Sequence, residues 1–178
     1  MKPATLLVAL GSFAAGAVLA LTASDLSARQ DAAAKASVYT NAAYGFSLTP
    51  PTFDKPAKES GAQTAMFFAP VRNAFAANLG VNVQETKMSL DDYIELSKKQ
   101  FAAAELTMIS ETRKKVSGRD AVAWEYEGTM KGRALRWSAL AVSDPGRVYL
   151  LTGTAAKADF ELVEKEFKAC LESFKLAD

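Results

Sequence analysis

The stretch that decides the fold is VSGRDAVAWEYEGTMKGRALRWSALAVSDPGRVYLLTGTA, residues 116–155. Turn signals at Ser117-Gly118, Lys131-Gly132 and Asp144-Pro145-Gly146 separate runs of β-branched, aromatic and aliphatic residues of ordinary strand length. They predict three consecutive antiparallel strands. A two-residue turn at Lys131-Gly132 sets Tyr126 opposite Trp137, Trp124 opposite Ala139 and Glu127 opposite Arg136. One face then carries Val122, Trp124, Tyr126, Leu135 and Trp137 as an aromatic core. Glu125, Glu127 and Arg136 fall on the other, where a solvated surface is expected. Each aromatic pair adds about 0.5–1.5 kcal/mol beyond area burial, and an exposed Glu127–Arg136 pair about 0–1 kcal/mol, so the core face fixes the register. In the next strand Val148, Tyr149, Leu150 and Leu151 are consecutive and largely apolar. Both sides of that strand must be covered, which predicts a central position in the sheet.

Working outward, residues 107–116 read as a strand leading into this stretch. Before it, Ser89 opens a helix, with a capping hydroxyl ahead of Leu90 and Asp91 and Asp92 in the first turn, where the helix dipole favours acids. Leu90, Ile94, Ser97, Phe101 and Ala104 follow at helical spacing, with Lys98 and Lys99 on the far side. Upstream, TAMFFAP (64–70) and NLGVNVQET (78–86) read as strands joined by VRNAFAA (71–77), and 52–63 reads as a polar loop. VYTNAAYGFSL (38–48) gives two short extended pieces, stopped by Thr49-Pro50-Pro51 because proline cannot donate to a ladder. Downstream, Phe160, Val163, Phe167, Cys170, Leu171 and Phe174 recur at three- and four-residue steps, predicting a helix over 159–176 that lies on the sheet. Cys170 falls in this stripe, which makes it a packing thiol. An antiparallel sheet with helices packed on it is an α+β fold.

The N-terminus is of a different kind. Lys2 precedes an uncharged apolar run that reaches Ala23, as long as the roughly 20 residues that span a bilayer. Residues 1–23 are expected to be a cleaved signal peptide or a retained membrane anchor; both fit. Residues 24–37 are small and polar and read as a linker, leaving a single domain over 38–178. The domain is expected outside the cytoplasm, either periplasmic or anchored to the membrane.

Composition narrows the chemistry. Lys plus Arg number 21 against 20 Asp plus Glu, and no basic run exceeds Arg113-Lys114-Lys115, so there is no electrostatic footprint for nucleic acid. The chain has no histidine and one cysteine. Ser-His-Asp, Cys-His and His-ligated metal chemistry are thereby excluded, as is an intrachain disulfide. No phosphate-binding glycine loop or nucleophile elbow is present. No catalytic, cofactor or metal residue is assigned.

YGFSLTPP at 44–51, SGRDAVAWEYEG at 117–128, VYLLTGTA at 148–155, the F-x-x-V-x-x-x-F helix from Phe160 to Phe167 and ESFKL at 172–176 together resemble the Mog1/PsbP-like superfamily over residues 38–176. Its members include the photosystem II protein PsbP, the Ran-binding protein Mog1 and the bacterial envelope protein DcrB, and this chain is most similar to exported or membrane-tethered bacterial members. The resemblance implies an α/β/α sandwich without catalysis that holds another macromolecule, a protein or membrane-complex partner. A role like that of a photosystem-associated extrinsic protein implies a cation site, for which only carboxylates such as Asp91, Asp92, Glu125 and Glu127 remain as hard-cation ligands. Helix capping and a solvated sheet face explain those four more simply.

Three function classes follow. A non-enzymatic envelope protein would meet its partner on the face of Glu125, Glu127 and Arg136, at the loop near 53–63, or at Phe75, whose alternative is a core position under a loop. A small-molecule or lipid carrier would hold its ligand between sheet and helix near Trp124, Tyr126 and Trp137, where packed core is the simpler expectation. An enzyme would have to work through carboxylates, Lys, Tyr or Ser.

Overall fold

A computed structural model describes residues 38–53, 56–57 (backbone only) and 65–177. The expected export segment and linker, and most of the loop at 53–63, lie outside the described residues. In chain order the elements are β1 (Tyr39–Asn41), β2 (Phe46–Leu48), β3 (Pro56–Ala57), β4 (Ala65–Phe68), β5 (Asn78–Glu85), α1 (Leu90–Ala103), β6 (Thr107–Val116), β7 (Arg119–Met130), β8 (Arg133–Asp144), β9 (Arg147–Ala156), α2 (Phe160–Ser173) and β10 (Lys175–Leu176).

Two antiparallel sheets result, one ordered β3-β4-β5-β9-β8-β7-β6 and a smaller one ordered β1-β2-β10. The β7–β8 register is the expected one, with Tyr126 opposite Trp137, Trp124 opposite Ala139 and Glu127 opposite Arg136. Its turn residues Lys131 and Gly132 both have positive φ (51° and 75°), as do Ser117 and Gly118 (48° and 75°) between β6 and β7. Positive φ at both positions gives the turn whose twist matches that of paired strands. β9 lies between β5 and β8 at the centre, and its alternate residues enter different cores: Tyr149 and Leu151 one, Val148 and Leu150 the other.

The large sheet thus has two covered faces. On one, α1 buries Tyr93, Ile94 and Phe101 against Val122, Trp124, Tyr126, Leu135 and Trp137. Tyr126 stacks on Trp137 at 5.1 Å and on Phe101 at 4.4 Å, and Trp124 meets Phe101 edge-on at 5.9 Å. These rings fill the space suggested for a carried ligand. Ser89 caps α1 as expected, its hydroxyl oxygen accepting from the Asp92 amide at 3.1 Å. On the opposite face α2 buries Phe160, Phe167, Cys170 and Leu171 against Leu140, Val142, Tyr149 and Leu151. The architecture is an α/β/α sandwich, and no helix among the described residues is long and apolar enough to cross a membrane.

Three details differ from the sequence reading. The 159–176 helix is shorter: α2 ends at Ser173, and Lys175 and Leu176 pair with Ser47 and Phe46. The Ser173 hydroxyl donates to the Cys170 carbonyl and accepts from the Thr49 amide, while Phe174 leaves the helix to pack on Phe46 and Tyr149. Within the stretch read as a polar loop, Pro56 and Ala57 pair with β4. Tyr93, absent from the expected α1 stripe, is fully buried and donates its hydroxyl to Gln84 at 3.0 Å.

Candidate functional site

α2 rests on β8 and β9, and the same sheet face continues past it across β7 to the end strand β6. Residues of alternating parity on β6 and β7 therefore emerge beside the helix. A cleft of roughly 280 Å³ results. Its floor carries the small or hydroxyl side chains Ser110, Thr112, Ala123 and Ser138 with Leu140 beneath; Lys114 lies on the β6 side, and Glu164, Lys168 and Glu172 line the α2 side. Among the described residues Lys114, Lys168 and Glu172 make no ion pair, and the hydroxyls of Ser110, Thr112 and Ser138 bond to no carboxylate or amine. On α2, Glu164, Lys168 and Glu172 follow at i, i+4 and i+8, so they share one stripe of the helix.

The expected contact residues are distributed as follows. Glu125 lines the cleft, and its Oε2 accepts from Arg136 Nη2 at 2.8 Å. The Arg136 guanidinium sits 4.5 Å over the Phe160 ring, under the start of α2. Its Nε is buried without an acceptor among the described residues. The Glu125 hydrogen bond, above all, raises the Arg136 pKa, with the charges of Glu125, Glu164 and Glu127 adding to it against a smaller opposing effect of burial. Glu127, although opposite Arg136 in register, pairs instead with Lys157 Nζ at 2.7 Å. The expected Glu127–Arg136 pair is therefore replaced by two others. Stacking on Phe160 turns the guanidinium along β8 to the diagonal carboxylate, and a lysine just past β9 takes the one left over. This side of the sheet is also less solvated than expected, since the Arg136 and Glu125 side chains are only 26% and 25% exposed.

Phe75 does not join them. It packs partly buried against the α1-side core, with the Arg133 guanidinium 5.5 Å from its ring centre. The 71–77 loop is held in place by Arg133 donating to the Asn73 carbonyl at 2.9 Å and by Asn73 donating to Asp159. Phe53, at the start of the other suggested loop, meets Phe167 edge-on at 6.0 Å.

The four candidate cation ligands are likewise separated. Asp91 pairs with Arg113 at 2.6 Å, Asp92 accepts from the Ser89 hydroxyl at 2.7 Å, and Glu125 and Glu127 are engaged on the opposite face. No group of three metal-ligating side chains occurs among the described residues. The arrangement offers alternating charges and hydroxyls along a slot with an apolar base, suited to gripping a polar chain.

The sequence reading missed Ser110, Thr112, Lys114, Glu164, Lys168 and Glu172. Their only sequence signal is the alternation S-x-T-x-K on β6 and the four-residue charge spacing on α2; nothing in either says that the two elements flank one slot.

The fold and the slot together define a class: an α/β/α sandwich whose one helix leaves part of its sheet face open. No family model matches the chain, and no curated protein matches it. Among solved structures it is similar to cyanobacterial PsbP (CyanoP) from Synechocystis, at 16% identity over 79% of this chain and 91% of that one, with a TM-score of 0.57. It is also similar to LpqN of Mycobacterium tuberculosis, described as involved in cell envelope biogenesis, at 13% identity over 75% and 83% of the two chains and a TM-score of 0.58. A third is PA94 of Pseudomonas aeruginosa, of unknown function, at 15% identity over 77% and 94% and a TM-score of 0.53. The fold is PsbP-like, as the sequence resemblance implied.

Proposed function

We propose that this domain is a non-enzymatic binding module of the cell envelope that holds a protein or membrane-complex partner in the cleft between α2 and strands β6–β8. The observation that carries the reading is the cleft itself, where, among the described residues, Lys114, Lys168 and Glu172 stand without ion partners around a floor of small and hydroxyl side chains. Charges of both signs left unpaired around a slot favour a partner of complementary pattern and set specificity more than affinity. A binding role without turnover accords with cleft hydroxyls that, among the described residues, are hydrogen-bonded to no carboxylate or amine, the neighbouring Glu125 being engaged by Arg136. An envelope location is supported by the apolar N-terminal run and by the stated role of LpqN.

Reversing both cleft cations, Lys114→Glu with Lys168→Glu, tests this. The expected result is that a partner co-purified with the unaltered chain from its own membranes is lost at least about tenfold. Equal recovery with the altered chain, or a measured turnover abolished by the same changes, contradicts it.

A further inference from the structure

β6 ends the large sheet, and among the described residues no strand lies beyond it. The two-residue turn at Ser117-Gly118 fixes which of its main-chain groups β7 uses. Residues closing such a turn exchange hydrogen bonds, and every second pair after them does so too. Val116, Lys114, Thr112 and Ser110 therefore bond to Arg119, Ala121, Ala123 and Glu125. The N–H and C=O groups of Glu111, Arg113 and Lys115 point the other way, to the open edge. Glu111 shows this directly: the residue is exposed although its side chain is only 25% exposed, so its bare area is main chain.

Charge on an edge strand ordinarily keeps edges apart. Here the signs alternate in a way that opposes most pairings and favours one. Outward-facing residues must meet outward-facing residues, so odd-numbered positions oppose odd-numbered positions. Registers that set Glu111 against Glu111 or Arg113 against Lys115 bring like charges directly opposite, which is destabilising. Setting Arg113 against Arg113 pairs Glu111 with Lys115 but crowds two guanidinium groups on the axis. One register gives Glu111 a cation and sets no like charges opposite. We propose that β6 pairs antiparallel with β6 of a second copy of this chain, Glu111 opposite Arg113 of the second copy and Thr112 opposite Thr112 on the two-fold axis. Each Glu111 already holds Lys98 at 3.2 Å and each Arg113 holds Asp91 at 2.6 Å. The pairing joins these into two four-membered networks of alternating sign on the α1 face. Ile109, the residue skipped between Met108 and Ser110 in the β6–β7 ladder, marks where the new ladder stops.

The two-fold axis runs through the sheet, so both α2 helices lie on the same side. The two clefts then merge into one trough floored by four strands, with about 14 Å between β7 and its mate at a strand spacing of about 4.8 Å. Ser110, Thr112 and Lys114 of both copies line it. The role of the trough rests on the function proposed above; the pairing does not.

Cysteine crosslinking of the full chain in detergent micelles tests the pairing, because Cys170 is the only native cysteine and is buried. Across the axis Thr112 occupies a position without hydrogen bonds, where Cα atoms lie about 4.5 Å apart, within disulfide reach. Thr112→Cys is expected to form a disulfide-linked dimer under mild air oxidation. Lys114→Cys, about 14 Å from its own mate at 3.4 Å per residue, forms at least about tenfold less. Adding Glu111→Arg to Thr112→Cys cuts the yield at least about tenfold, and adding Arg113→Glu as well restores it. Equal yields from positions 112 and 114, or no restoration by the double reversal, overturn the proposal. A dimer that survives Lys168→Glu while the envelope partner is lost upholds the pairing and separates it from the partner reading.

Discussion

Arg136 concentrates what a single residue does here. Its stem and guanidinium cover Phe160, one nitrogen binds Glu125, and Nε has no acceptor among the described residues. Arg136→Ala should lower the free energy of unfolding by about 1–3 kcal/mol, through lost packing as much as lost charge, as read from urea titration. Cys170 makes a second prediction. Burial pushes its thiol up from 9.0 to about 12, so native protein binds that proton more tightly than unfolded chain. Its contribution to stability is complete below pH 9 and is lost as pH rises towards 12. Tyr93 and Tyr126, both raised by burial from 10.0, act in the same direction at higher pH. The urea midpoint should therefore fall as pH rises above 9, less so in Cys170→Ala, and thiolate absorbance of the native chain should be absent at pH 10. A thiolate that titrates near its ordinary value in the folded protein contradicts this. A third residue, Ala74, sits at φ 56° in the 71–77 loop. A side chain there costs about 1–2 kcal/mol that glycine avoids, so Ala74→Gly should stabilise despite the greater freedom of its unfolded chain.

At the scale of elements, two glycines set how closely the layers approach. A Cβ on Gly153 of β9 would lie 2.7 Å from Phe167 Cγ, the rooted end of a ring that anchors α2. A Cβ on Gly128 of β7 would meet Leu106 Cδ2 at 2.5 Å, the far end of a side chain that can rotate, though Leu106 Cα is also near at 3.3 Å. Gly153→Ala should thus cost more than Gly128→Ala, about 1–3 kcal/mol for the former, and thermal unfolding of the two variants checks the order. The same elements show how much the chain's own pattern reveals. The β7–β8 register was legible because a two-residue turn and alternating aromatics permit one pairing. The end of α2 was not, because Phe174 continues the helical spacing of Phe167, Cys170 and Leu171; what takes the chain out of the helix is the pairing of Lys175 and Leu176 with Ser47 and Phe46, far away in sequence.

For the whole molecule, the sandwich was legible from β9, whose unbroken apolar run demanded cover on both sides. The cleft was legible only in part. Glu125 and Arg136 were placed on the correct face, but Lys114 and Lys168 come together solely because α2 stops short of the sheet's end, a fact of topology that no local pattern carries. Phe75 was drawn to the opposite core by the loop that holds it. Site-specific photo-crosslinking in the native membrane tests the central claim most directly, with the probe placed at Lys168 in the cleft or at Lys99, exposed on α1 across the sheet. The account predicts a discrete adduct to one envelope component from position 168 and none from 99. The same adduct from 99 with none from 168 would contradict it.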